Sequence, residues 1–531
     1  MSQQQVEASA DRPPTAEGAT EPAPRSHREI RLVMIGLAVA MLLAMLDNLI
    51  VGTAMPTIVG DLGGAEHLSW VVTSYTLATA ASTPIWGKLG DLYGRKGTFL
   101  TSIVIFLLGS ALSGLSQSMT QLIAFRAVQG LGAGGLMVGV MSIMGALVPP
   151  RDRGKYQGMF AAVMALATIG GPLVGGFITD HLNWHWTFYI NLPLGLVALA
   201  FIVVTLKLPK VRSNAKIDYV GAILLTAGIT SLVLITTWGG QQYAWGSKQI
   251  LGLAALAVAS LIAFCYVEQR VDEPMLPLGL FRNRNFAMVS LIGFIVGFAM
   301  FGAVTFLPLY QQTVQGASAT NSGLLLMPMM FGMLVVSLVV GQVVTKTGKY
   351  RIFPIIGTVV MGGGSLLLST LSTDTSRFTS SCYMVVLGAG MGFLMQITML
   401  VAQNSVELKD MGVASSTATL FRTIGGSFGV ALFGALFNNR VTATMKERLP
   451  NQPAGAKGGG MSQTSPEALR ALPAPVQDAY HHAVSNGIHT VFLWGAVVSV
   501  VAVAASLFLR EVPLRGAGKP SPEQSMEAAA V

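Results

Sequence analysis

Apolar runs of about twenty residues recur from residue 32 to residue 509, each long enough to cross roughly 30 Å of hydrocarbon. We count fourteen, the first near 33–55, the seventh and eighth near 218–238 and 248–267, and the last near 488–509. Such a chain must satisfy its backbone hydrogen bonds within each span, so the expected fold is an all-α polytopic membrane protein with 14 transmembrane helices. Composition agrees, with 52% hydrophobic and only 11% charged residues against roughly 25% charged in soluble domains. The first run exceeds a signal-peptide core and no small-residue cleavage site follows it, so it reads as a retained helix.

The formal charge of +9 invites a nucleic-acid reading, which its distribution excludes. With a cytoplasmic N-terminus, 24 of the 33 Lys and Arg residues fall inside, 7 outside and 2 within spans. That asymmetry is the positive-inside rule and places both termini in the cytoplasm. Cys265 and Cys382 fall inside predicted helices, which argues against a disulfide. His181 with His185, and His482 with His489, recur at helical spacing but lack a third ligand, so neither a metal nor another cofactor is expected. No nucleophile–base arrangement or phosphate loop appears, and the expectation is a non-enzyme.

"GKLGDLYGRK" (87–96) and "GQVVTKTGKY" (341–350) share glycines seven apart followed by a basic residue, at an offset of 254. "TIGGPLVGG" (168–176) and "TIGGSFGVA" (423–431) match at an offset of 255. Two six-helix halves of common ancestry give such a pattern. The expected organisation is a cytoplasmic tail at 1–32, a six-helix bundle at 33–210 and two inserted helices within 211–284. A second bundle spans 285–510, with a long outer loop at 438–487, and 511–531 form a second tail. Both tails have the Pro-, Ala-, Glu- and Ser-rich composition of disordered segments.

"MLLAMLDNLIVGTAMP" (41–56) carries one acid, Asp47, in the middle of a span. A charge at membrane depth is costly and is a functional hypothesis by default. At 1.5 Å per residue, Asp47 on the first helix and Arg126 on the fourth both lie roughly 21 Å from the inner edge. Burial favours the neutral carboxyl and a nearby guanidinium the charged one, so a conformational change acting on such a pair switches its hold on a proton. The same pair would also serve as a structural salt bridge between the two helices. Arg422 is the other intramembrane charge, and it either faces a cavity or satisfies backbone carbonyls. Asn48, Gln129, Gln396 and Gln403 are cavity candidates, since amides rarely face lipid. Met391, Met395 and Met399 share one helix face and suit either a permissive pocket or plain packing.

These motifs resemble the fourteen-helix drug:proton antiporter branch of the major facilitator superfamily. "LDNLIVGTAMP" (46–56) resembles its first-helix motif, and "GKLGDLYGRK" matches its loop motif at Gly87, Leu89, Asp91, Gly94, Arg95 and Lys96. "RAVQGLGAG" (126–134) is similar to its proton-transfer motif and "GGPLVGG" (170–176) to its antiporter motif. The resemblance implies proton coupling by Asp47 and Arg126, and a cytoplasmic latch at Gly87, Asp91, Gly94 and Arg95 that holds the outward-facing state. It further implies that Gly171, Pro172 and Gly175 seal one side of the cavity during export. Trp184-His185-Trp186 departs from the family's W-R-W, and residues 320–345 lack the acid found in relatives that export dications.

The implied function is proton-coupled export of drugs or other amphipathic small molecules by alternating access, through a functional monomer in the bacterial cytoplasmic (inner) membrane. A proton yields about 1.4 kcal/mol per pH unit and about 2.3 per 100 mV. Export of an endogenous lipid, siderophore or self-made antibiotic is the rival within transport. A non-transporting sensor fits poorly with the intact loop motif. The buried charges sum to +1 with Asp47 ionised, which favours neutral, anionic or singly cationic lipophiles over polycations.

Overall fold

The computed structural model describes residues 27–514 except 64–67, 150–151, 209–217, 240–241, 245, 272, 318–324, 408–409 and 450–472. Residues 1–26 and 515–531 of the tails and the centre of the outer loop therefore lie outside the described residues, while 27–32, expected in the first tail, are helical. The first six long helices are α1 (His27–Leu62), α2 (Leu68–Tyr93), α3 (Arg95–Gly114), α4 (Met119–Leu147), α5 (Arg153–His181) and α6 (Asn191–Thr205). Next come α7 (Tyr219–Trp238) and α8 (Lys248–Glu268). The last six are α9 (Arg284–Thr313), α10 (Met327–Thr347), α11 (Ile352–Ser369), α12 (Arg377–Asn404), α13 (Met411–Arg448) and α14 (Ala474–Leu507). Each predicted span coincides with one of these helices, α6 being preceded by the single turn Trp186–Tyr189.

Short polar residues start several of them by accepting a free backbone N–H of the first turn. Ser118 caps α4 through Gln121 N, Asp218 caps α7 through Gly221 N, and Asn283 caps α9 through Asn285 N and Phe286 N. Gly94, at φ 95°, supplies the left-handed residue in the tight turn from α2 to α3, where a side chain would be strained. Among the described residues thirteen helices are long and apolar enough to cross a membrane, and α2 is the long helix outside that set. Its Ser and Thr residues lower its hydropathy, yet they serve packing against α4. Thr79 Oγ1 donates to the Gly130 carbonyl at 3.1 Å, Ser82 Oγ to Leu131 at 3.2 Å and Trp86 Nε1 to Leu131 at 2.7 Å.

In the first half α4 packs on α2 and α3, and α1 on α5 and α6. In the second half α13 packs on α9 and α14, and α12 on α10 and α11. Each half has its own apolar core, one around Phe99, Phe106 and Leu136, the other around Phe286, Tyr310 and Phe433. The helices α7 and α8 pair with each other and α7 lies against α2 and α13, with an apolar cluster across them that includes Ala80, Ile229, Phe264 and Leu420. The halves meet through α2 with α13, α5 with α10, and α4 with α13.

The outer loop expected at 438–487 is shorter than the sequence indicates. α13 continues to Arg448 and α14 already begins at Ala474, so both ends of that segment are helical. At 1.5 Å per residue the 38 residues of α13 extend about 57 Å, well beyond a hydrocarbon core of about 30 Å. The two extensions pair: Asn486 Nδ2 donates to Thr444 Oγ1 at 3.3 Å, and Arg448 meets Asp478 at 3.5 Å. Replacing 451–471 by a short Gly-Ser linker should therefore leave insertion and thermal stability unchanged. Loss of the protein from the membrane fraction would contradict this.

Candidate functional site

Asp47 on α1 and Arg126 on α4 are both fully buried, and the common depth expected of them becomes direct contact. Arg126 Nη1 donates to Asp47 Oδ2 at 2.5 Å and to Gln129 Oε1 at 2.8 Å. Gln129 Nε2 and Asn191 Nδ2 each donate to Asp47 Oδ1 at 2.7 Å. Asn191 Nδ2 also reaches Ser110 Oγ at 2.9 Å, whose hydroxyl donates to the Phe188 carbonyl. Helices α4 and α6 thus converge on one carboxylate of α1, and α3 braces the Asn191 amide through Ser110. Arg126, Gln129 and Asn191 all donate to Asp47 and none accepts from it, which is the arrangement an ionised carboxylate requires.

The guanidinium is held differently. Among the described residues Arg126 Nε and Nη2 have no hydrogen-bond partner. The group instead lies over the Tyr75 ring at 4.1 Å, with the Phe188 ring at 5.9 Å. Desolvated cation–π contacts of this kind are worth about 2 kcal/mol. Tyr75 is fixed by its hydroxyl, which donates to the Ala44 carbonyl one turn before Asp47. The ion pair is sealed from water and neutral overall.

Hydrogen bonds between the halves cluster at the cytoplasmic ends of the helices. Asp91 Oδ1 accepts from Gly412 N at 3.0 Å and Asp91 Oδ2 from Val413 N at 2.9 Å. Those N–H groups open α13, whose own Asp410 makes no side-chain cap, so the first half caps a helix of the second. A carboxylate at a helix N-terminus meets both free donors and the positive end of the dipole. Arg95 Nη2 holds Asp91 Oδ1 at 2.9 Å. Gly87 faces Gly412 and Ser416 so closely that a Cβ on Gly87 would sit 2.5 Å from Ser416 Oγ. Any side chain there would push α2 off α13.

A second cytoplasmic contact centres on Arg153, a buried residue at the start of α5. It donates to the Val148 and Gly145 carbonyls and, across the halves, to Gln403 Oε1 at 2.9 Å. Gln403 Nε2 returns a bond to the Met141 carbonyl and another to Ser415 Oγ. Burial lowers the Arg153 pKa to about 10, and with carbonyls as partners the group lacks a carboxylate to offset that burial.

The other sequence candidates are placed as follows. Gln129 belongs to the Asp47 cage and Gln403 to the cytoplasmic contact, so neither lines open space. Asn48 is exposed on the side of α1 away from its neighbour Asp47. Gln396 is buried, with neither side-chain polar atom partnered among the described residues. Gly171 and Gly175 press α5 onto Leu49, Ile50 and Thr53 of α1, just beyond Asp47, and Pro172 lies between them in the same helix. Arg422 lines a cleft in the second half. Two participants were missing from the sequence reading, Asn191 and Arg153. Asn191 lies inside a predicted apolar span, where a neutral amide carries no charge to single it out, and Arg153 counted only as a cytoplasmic charge.

Two helix bundles joined at their cytoplasmic ends, with one sealed ion pair at membrane depth, define a multi-pass membrane transporter. The family model described as Major Facilitator Superfamily matches residues 37–430, and the chain belongs to that superfamily. It is similar to the multidrug transporter protein MdtP of Bacillus subtilis (strain 168), at 40% identity over 94% of this chain and 96% of that one. It is also similar to multidrug resistance protein 3 of the same organism, at 37% identity over 90% and 95%. The fold is similar to that of the human organic anion transporter MFSD10 (TETRAN), with TM-score 0.62 and 12% identity over 90% of this chain and 99% of that one. A double-tryptophan mutant of XylE gives TM-score 0.60 at 14% identity over 94% and 99%.

Proposed function

We propose that this protein exports drugs or other amphipathic small molecules from the cytoplasm in exchange for protons. It works as a monomer in a bacterial cytoplasmic membrane, with the bundles 33–210 and 285–510 rocking about a central cavity and the inserted helices of 211–284 riding on α2 and α13. The observation that carries the reading is the carboxylate cage. Asp47 takes three donated hydrogen bonds, one from a guanidinium whose other donors rest on aromatic faces. Protonating Asp47 puts an O–H where a donor now points and removes the counter-charge of Arg126. Breaking a buried pair in that way costs about 3–5 kcal/mol, so proton uptake favours a different packing of α1 against α4. The Asp91 and Arg153 contacts hold the cytoplasmic side shut in the unprotonated form. The multidrug relatives support drugs as the cargo class.

Everted membrane vesicles test this. A lipophilic fluorescent dye should accumulate when the vesicle lumen is acidified and stop accumulating when nigericin collapses the pH gradient. Accumulation that follows sodium or ATP instead would overturn the reading.

A further inference from the structure

Asp47 and Arg126 neutralise each other, which leaves Arg422 as the uncompensated charge within the spans. Arg422 stands about 17 Å along α13 from its cytoplasmic end, at 1.5 Å per residue. It is half-buried and, among the described residues, makes no hydrogen bond or ion pair. Its backbone is fixed, because Gly297 of α9 lies directly against the Arg422 carbonyl where a Cβ would collide. The side chain lines a cleft between α9, α12 and α13 walled by Val289, Gly293, Val296, Met395, Met399 and Ala418. The space between these walls holds little more than a water molecule in this closed form, and the flexible, polarizable methionines are the side chains that can move apart to admit a larger group. The cleft's hydroxyl, on Thr398, is committed to the Leu394 carbonyl of its own helix at 2.9 Å. A guanidinium with five donors and no protein acceptor in an apolar cleft is costly unless water or a ligand completes it, and an anion does so with opposite charge.

We propose that this cleft binds the head group of the exported substrate and that the group is a single organic anion, a carboxylate or its equivalent. The anion pairs with the Arg422 fork and the apolar body lies on Met395 and Met399. The proposal rests on the exporter reading and names its preferred cargo as lipophilic acids. Headgroup phosphates lie at the membrane surface, beyond the reach of a side chain near the middle of a roughly 30 Å core. Sending a monoanion out while a proton comes in moves two charges in the same sense, so the membrane potential drives this exchange more strongly than that of a monocation.

Binding of dansyl-undecanoic acid and of its methyl ester to the purified protein in phosphatidylcholine nanodiscs tests the cleft without any gradient. The wild type should bind the acid at least tenfold more tightly than the ester. Arg422→Gln should weaken acid binding at least tenfold and leave ester binding within twofold, and Arg422→Lys should recover part of the loss. Equal affinity for acid and ester in the wild type, parallel losses of both in Arg422→Gln, or no binding of either would overturn the proposal. So would loss of acid binding when phosphatidylglycerol is added to the disc, since a lipid headgroup would then hold the site. If Arg422→Gln fails to fold, the wild-type ratio alone decides. Failure here leaves nigericin-sensitive dye export intact, and failure of proton coupling leaves the binding ratio intact.

Discussion

Asparagine in place of Asp47 should abolish proton-driven export, by at least a hundredfold, in a protein that still inserts. The side chain keeps its volume and still accepts through one oxygen, but it cannot release a proton. Arg126 then loses its counter-charge while keeping the Tyr75 face. An uncompensated buried charge costs about 3–5 kcal/mol, so the variant should also melt earlier. Combining Asp47→Asn with Arg126→Gln should recover stability without recovering transport, and a double-mutant cycle measures that coupling. Arg126→Ala should likewise stop export, because the carboxylate then loses its counter-charge and keeps only the neutral donors Gln129 and Asn191. Arg126→Lys should restore part, since it keeps the charge but loses the planar geometry that serves Asp47, Gln129 and the ring together.

Asp91→Asn should open the cytoplasmic side. The change removes the charge that caps α13 across the halves and that holds Arg95. Hydrogen bonds to a charged group contribute about 1.5–3 kcal/mol each, so even partial loss shifts the balance between closed and open forms by roughly a hundredfold. Spin labels at Tyr93 and Lys349, both exposed at cytoplasmic helix ends, report the separation. A longer and broader distance distribution in Asp91→Asn is the expected result. An unchanged distribution would mean that Asp91 only caps a helix and governs no transition.

The spans were legible in the sequence because each needs about twenty apolar residues to cross hydrocarbon, and the meeting of Asp47 with Arg126 because helical rise fixes depth. Gln129 was partly legible, since a residue three after Arg126 shares its helix face. Asn191 was not, because its target is reached only when α6 folds back against α1 and α3. Nor was the Arg153–Gln403 bond, which joins residues 250 apart and depends on how two bundles sit together. The helical extension of α13 into the outer segment escaped for another reason. Arg440, Lys446, Glu447 and Arg448 end the apolar run at the membrane boundary but do not end the helix. Hydropathy reports the solvent a helix crosses, and those residues are good helix formers in water.

The account stands on Asp47 exchanging its proton with the transported molecule. The direct measurement is proton release on adding substrate to the purified protein in weakly buffered detergent solution, followed with a pH-sensitive dye. Wild-type protein should acidify the solution on binding, and Asp47→Asn should bind the same substrate without acidifying it. Equal proton release from Asp47→Asn and wild type would contradict the account and leave the cage a structural salt bridge between α1 and α4.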